Sequence, residues 1–170
     1  MIAPIVTAAS EPVLHILHLE DSLIDHRLTR ATLRRAGMAF NMAHADTLEA
    51  FMQQVLTEKF DVILADYRLP GFTALDAWQQ VAQQKTHPPF ILLSGAIGEA
   101  AAVDAIRLGM ADYVLKDDMV RLPHVIERAC EVHQARLARE RAIADLAASQ
   151  RRLADLTEHL QSSIEQERAA

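Results

Sequence analysis

Glu20, Asp21, Asp66, Ser94 and Lys116 are the residues of this chain whose types and placement could do chemistry together. Each closes a short apolar run: His15-Ile16-Leu17-His18-Leu19 before Glu20-Asp21, Val62-Ile63-Leu64-Ala65 before Asp66, Phe90-Ile91-Leu92-Leu93 before Ser94, and Tyr113-Val114-Leu115 before Lys116. Three carboxylates brought close repel one another and rise in pKa unless a cation intervenes. Hard oxygen ligands beside partly hydrated space suit Mg²⁺, which needs few protein ligands and accepts phosphate as another. A carboxylate can then attack a phosphoryl group in line, with the developing charge met by a divalent ion and a fixed lysine. Asp66 is the best-placed nucleophile, Ser94 can donate to a phosphoryl oxygen, and Gly95 leaves room for approach. Taken singly, each residue reads as a helix cap or a surface polar group. Their recurrence at four strand ends carries the argument.

The elements that must position them follow from periodicity. Short apolar runs bounded by turn residues read as strands buried on both faces. Residues 13–19 form the first, and Asp21 or Ser22 can cap a helix over about 23–36, with Leu23, Leu28 and Leu33 near one face and Gly37 ending it. Residues 40–45 form a second strand. Asp46 or Thr47 caps a helix carrying Leu48, Phe51, Met52, Val55 and Leu56. The third strand delivers Asp66 and breaks at Pro70-Gly71, and Thr73 caps a helix to about Gln84. After the prolines Pro88 and Pro89, a fourth strand leads to Ser94-Gly95, a helix spans about 99–108, and a fifth strand over 112–115 ends at Lys116. Strand and helix alternate five times, which predicts an α/β fold with a doubly wound five-stranded parallel sheet. In such a sheet all C-terminal strand ends open onto one rim, where ligands bind.

Composition narrows the classes. The 170 residues carry a net charge of −6 and 51% hydrophobic residues with only 5% aromatics, suiting a Leu/Ile/Val/Ala core and giving no reason to expect binding to nucleic acid or anionic membranes, both of which want basic patches. Cys130 is the single cysteine, which excludes an internal disulfide and a cysteine zinc site. No run is long and apolar enough for a membrane span, and residues 1–12 lack the features of a signal peptide, so they read as a loosely ordered leader and the chain as cytoplasmic. From about Val120 the sequence continues to Ala170 with Pro123 as its one helix breaker. Leu146, Leu153 and Leu160 recur every seven residues with Ile143 and Ile164 at the partner position, while Gln150 and Thr157 weaken that position. The pattern predicts a long C-terminal helix forming a coiled coil, and hence a homodimer.

On these residues the chain resembles the receiver domain of bacterial response regulators: Glu20-Asp21 in His-Leu-Glu-Asp-Ser, Asp66 in Ala-Asp-Tyr-Arg-Leu-Pro-Gly, Ser94 in Leu-Leu-Ser-Gly, and Lys116 in Tyr-Val-Leu-Lys-Asp-Asp. The resemblance covers 13–133 and implies a flavodoxin-like receiver whose Asp66 accepts phosphate from a phosphohistidine on a histidine kinase or phosphotransfer protein. It implies that Asp21, Asp66 and the backbone carbonyl of Arg68 hold Mg²⁺, with Glu20 acting through water, that Ser94 and Lys116 bind the phosphoryl group, and that Tyr113 moves with Ser94 as a switch. The chain departs from the family where Asp117 replaces the usual proline after the lysine; a cis bond there would cost about 3 kcal/mol more, so a trans peptide is expected. Within the expected coiled-coil segment, 134–170, the run Leu153-Ala154-Asp155-Leu156-Thr157-Glu158-His159-Leu160-Gln161, ending Glu165-Gln166-Glu167-Arg168-Ala169-Ala170, resembles the dimerising helix before the histidine box of one class of sensor kinases, which implies a link to an output domain outside this sequence, a histidine kinase module or another output such as a nucleotide cyclase or sensory domain. The box itself is absent, since His159 is followed by Leu160.

Other features read blandly. None of the eight histidines shows paired ligand spacing, and Gly95-Ala96-Ile97-Gly98 lacks the Lys-Ser/Thr of a phosphate loop. Two rival functions remain: an aspartyl-nucleophile phosphohydrolase, weakened because Arg68 stands where a second aspartate would, and a receiver-like module that binds partners without phosphorylation.

Overall fold

A computed structural model describes residues 12–95 and 99–170; the expected leader over 1–12 lies almost wholly outside the described residues, as do 96–98 of the glycine-flanked segment. The chain divides into two compact units, one through Glu131 and one from Val132 to Ala170.

The first unit alternates strand and helix as the periodicity requires. In order come β1 (Leu14–Leu19), α1 (Leu23–Arg35), β2 (Phe40–Ala45), α2 (Leu48–Thr57), β3 (Val62–Asp66), a small hairpin of β4 (Arg68–Leu69) and β5 (Phe72–Thr73), α3 (Ala74–Ala82), β6 (Phe90–Ser94), α4 (Glu99–Arg107), β7 (Asp112–Leu115), a 3₁₀ turn (Lys116–Arg121) and the start of α5 (Leu122–Ala169). Five strands form one parallel sheet in the order β2-β1-β3-β6-β7, so β3 is central. The chain steps outward from β1 to β2 and then crosses back to β3. That reversal opens a crevice at the C-terminal ends of β1 and β3, the usual ligand position in open α/β sheets.

Strand alternation sends residues to two cores. Ile16, Val62, Leu64, Ile91 and Leu93 pack with Leu33 of α1 and Leu122, Val125 and Ile126 of α5. Leu17, Leu19, Ile63, Ala65 and Leu92 pack on the other side with Phe51 of α2 and Ala77, Trp78 and Val81 of α3. With both faces covered, β3 and β6 are apolar throughout rather than alternating. Burying a large aliphatic side chain contributes about 1.5–3 kcal/mol, so this double core fixes the register that aligns the strand ends.

Local structure corrects the sequence reading in places. On α1, Leu33 is buried but Leu23 and Leu28 are exposed, and the buried partners of Leu33 are His26 and Thr29. The reason is arithmetic: a five-residue spacing rotates a side chain about 140° around a helix of 3.6 residues per turn, off the buried face. On α2, Phe51 is buried whereas Leu56 is exposed. The Pro70-Gly71 turn closes the unforeseen β4–β5 hairpin, and Gly71 takes the positive φ of 83° that a turn of this kind needs. Every described peptide bond is trans, Lys116–Asp117 included, and the chain there enters the 3₁₀ turn.

In the second unit the helix is continuous to Ala169, and Ile143, Leu146, Leu153, Leu156, Leu160 and Ile164 are all exposed. Among the described residues no helix is long and apolar enough to cross a membrane.

Gly109 is held at φ 100°, and a Cβ built there would stand 3.1 Å from Cζ2 of Trp78, whose indole N–H donates to the Leu108 carbonyl at 3.0 Å. Gly109→Ala therefore meets both backbone strain and a ring that its own hydrogen bond holds in place. It should cost more than about 1 kcal/mol. A urea titration followed by Trp78 fluorescence checks this, and an unchanged midpoint would refute the packing account.

Candidate functional site

The rim is assembled by register. Glu20 follows β1, Asp66 closes β3, and the ends of β6 and β7 lie alongside, with Asp66 paired to Leu93 and Ser94 to Leu115. Residues 96 apart in sequence thereby touch: the Lys116 ammonium donates to Glu20 Oε2 at 3.0 Å and to Asp66 Oδ2 at 3.1 Å. Glu20, Asp21 and Asp66 each offer a carboxylate oxygen, all within 4.8 Å of one another. Ser94 is buried at the end of β6. Arg68 lies two residues past Asp66 in β4, and Tyr113 is half-buried in β7 against the core that contains Trp78. Glu20, Asp21, Asp66, Arg68, Ser94 and Lys116 thus stand at strand ends or just beside them, whereas Tyr113 lies within β7, paired with Leu92.

Their environments differ. Glu20 is 1% exposed while Asp21 is open to solvent. Burial pushes the Glu20 carboxyl above its ordinary range, a rise opposed by hydrogen bonds from the Ser22 amide and the Lys116 ammonium. Lys116 is the counterpart: burial alone would lower its pKa, but hydrogen bonds to Glu20, Asp25 and Asp66 outweigh that and raise it. A cation is therefore already required to hold this many carboxylates together. The donor set also fits Mg²⁺. Glu20, Asp21 and Asp66 supply hard carboxylate oxygens at one place, and exposed Asp21 leaves room for the waters that such an ion keeps.

Two features escaped the sequence reading. Asp25, in the first turn of α1, is the third carboxylate on the Lys116 ammonium at 3.1 Å. From sequence it reads as an acidic complement to the helix dipole, and only the fold brings Lys116 to it. The second is a run of three histidines. His18 and His26 meet through their Nδ1 atoms at 3.0 Å, His26 and His44 stack with centroids 4.2 Å apart, and His44 Nε2 donates to the Glu20 carbonyl at 2.6 Å. One of the His18–His26 pair must carry a proton on Nδ1 and the other must not, so the accepting ring is neutral when bonded. These residues come from β1, α1 and β2, with spacings that match no ligand pattern. Their rings meet edge to edge and face to face, and they brace the backbone at Glu20.

Comparison with known proteins comes from sequence and from fold. Residues 16–127 match the family described as response regulator receiver domain. The transcriptional regulatory protein ZraR of Escherichia coli K12 is 25% identical over 115 residues, 67% of this chain but only 26% of ZraR. The transcriptional regulatory protein FixJ of Bradyrhizobium diazoefficiens is 26% identical over 137 residues, 79% of this chain and 65% of FixJ. Among solved structures, the receiver domain of the sensor histidine kinase PA1611 of Pseudomonas aeruginosa PAO1, with magnesium coordinated in its active site cleft, superposes with a TM-score of 0.61. It is 22% identical, covering 71% of this chain and 99% of that one.

The histidine run sets a pH response. Burial, with repulsion from His44, Arg30 and Arg27, lowers the His26 pKa from 6.5 to about 4, and burial lowers that of His18 as well. Below about pH 6.5 the unfolded chain binds protons that the folded one refuses, so stability is full above that value and falls as pH drops toward 4. Glu20, with its raised pKa, acts in the opposite sense over the acid range. His26→Gln should flatten the loss of urea midpoint between pH 7 and 4.5. An unaltered slope would show that His26 does not carry it.

Proposed function

Because the chain belongs to the response regulator receiver domain family, we propose that it is the phosphoacceptor switch of a two-component system, taking a phosphoryl group from a phosphohistidine onto Asp66. The observation that carries this reading is the Lys116 ammonium bonded at once to Glu20 and Asp66 beside exposed Asp21. It supplies a nucleophile, a fixed cation and a carboxylate set for a divalent ion at one rim.

In the transfer, an Asp66 carboxylate oxygen forms a bond to phosphorus while the phosphorus–nitrogen bond of the donor breaks, and the imidazole leaves with the electron pair. Asp21, Asp66 and the Arg68 backbone carbonyl would hold Mg²⁺, with Glu20 acting through water. When bound, the ion supplies positive charge to the oxygens of the transferred group. Lys116 releases Asp66 and turns its N–H groups to the phosphoryl oxygens, and Ser94 donates to another. Tyr113 follows Ser94 inward, altering the surface of α4 and β7.

The domain reading extends this. Residues 13–133 act as the receiver, and 134–170 pair with a second copy to pass the change to an output, for which a histidine kinase module is the first candidate. The exposed seam of Ile143, Leu146, Leu153, Leu160 and Ile164 supports the pairing.

Two measurements check the reading. Incubation with a small acyl phosphate and Mg²⁺ should add one phosphoryl group by intact mass, with the adduct absent in Asp66→Asn and when the metal is chelated. Steady turnover without an adduct would favour a phosphohydrolase, and no reaction would favour an inert module. Sedimentation should show a dimer that Leu153→Asp weakens at least tenfold, since a charge at a buried seam position is costly. A strict monomer at high concentration would remove the coiled coil.

A further inference from the structure

We propose that Asp25 is a positioning residue for Lys116, keeping the ammonium at the rim while Glu20 and Asp66 change partners. The proposal rests on Asp66 being the phosphoacceptor. An ammonium has three N–H donors, and here each has a carboxylate: Glu20 at 3.0 Å, Asp25 at 3.1 Å and Asp66 at 3.1 Å. In the transfer, Asp66 becomes an acyl phosphate, and Glu20 would act through water on the divalent ion. Asp25 is the one partner of the three with no other task.

Its own position is built in. Ser22 accepts from the Asp25 amide at 3.2 Å, and the Ser22 amide donates to Glu20 Oε1 at 3.0 Å. Glu20, Ser22, Asp25 and Lys116 therefore form a closed circuit of hydrogen bonds in which the helix cap of α1 sets the height of the Asp25 carboxylate. Lysine is a flexible four-carbon stem ending in a point charge, and a stem released by two partners at once regains its rotamers. Asp25 prevents that, because Lys116 can keep one bond to α1 and offer its other two N–H groups to phosphoryl oxygens. With its side chain 40% exposed, Asp25 holds by a direct bond more than by a long-range field.

The test follows acyl phosphate uptake in the full chain and, separately, the exchange of the Lys116 ammonium by ¹⁵N NMR. Asp25→Asn should slow phosphorylation by about two- to five-fold, the factor a partly exposed ion pair supplies. Asp25→Glu should restore the rate, and the deficit should vanish in a Lys116→Met background, because Asp25 acts only through that lysine. The Lys116 ammonium should also exchange faster with solvent in Asp25→Asn. An unchanged rate, or the same deficit without Lys116, would overturn the proposal. If the unsubstituted protein takes up no phosphoryl group, the phosphoacceptor reading fails on its own, and the ammonium decides this one: faster exchange in Asp25→Asn supports it and unchanged exchange overturns it.

Discussion

The rim of this protein depends on one positive charge among several negative ones. Glu20, 1% exposed, and Asp66 point oxygens at the same place, and the Lys116 ammonium lies 3.0 and 3.1 Å from them. Without a cation, two carboxylates this close would repel, and the buried one would take up a proton. The requirement propagates outward. Lys116 reaches them only because β7 ends level with β6 and β6 with β3. That alignment is held by two apolar cores, one on each face, in which a slip of one residue would exchange every buried side chain for its opposite neighbour.

The acidic side is held as deliberately as the basic one. The Ser22 cap of α1 donates its amide to Glu20, and His44 donates to the Glu20 carbonyl, so backbone and side chain of the same residue are fixed from two elements. The His18–His26–His44 run has a cost, since burial disfavours the charged forms of His18 and His26, yet it fills the space between β1, α1 and β2 with groups that hydrogen-bond where leucines could not. A rigid surround with one flexible member, the lysine stem, lets a site rearrange its charges without rearranging its fold.

Much of this was legible in the sequence, for identifiable reasons. Strands buried on both faces read as unbroken apolar runs, and the polar residues that end them, Asp66 and Lys116, mark the rim directly; β7 spans the expected 112–115. Pro, Gly and Thr punctuation placed the helices well because turn chemistry is local. What escaped was non-local or depended on angle. The leucines of α1 look periodic in a list but not around a helix, and Leu23 and Leu28 are exposed. Asp25 and Lys116 are 91 residues apart, and nothing near either announces the other. The histidine run draws on three separate elements, and its members share no spacing.

On the proposed function Lys116 is a movable counter-charge: it neutralises Asp66 at rest and would pass to the phosphoryl group after transfer. Beryllium trifluoride, which takes the tetrahedral shape of a phosphoryl group on a carboxylate, tests it without hydrolysis. A crystal structure with Mg²⁺ and this mimic should show beryllium bonded to an Asp66 oxygen, with Lys116 Nζ moved from Asp66 Oδ2 to a fluorine and still within hydrogen-bond reach of the rim. A mimic bound at Asp66 with Lys116 left on its three carboxylates, or no mimic bound at Asp66, would contradict it.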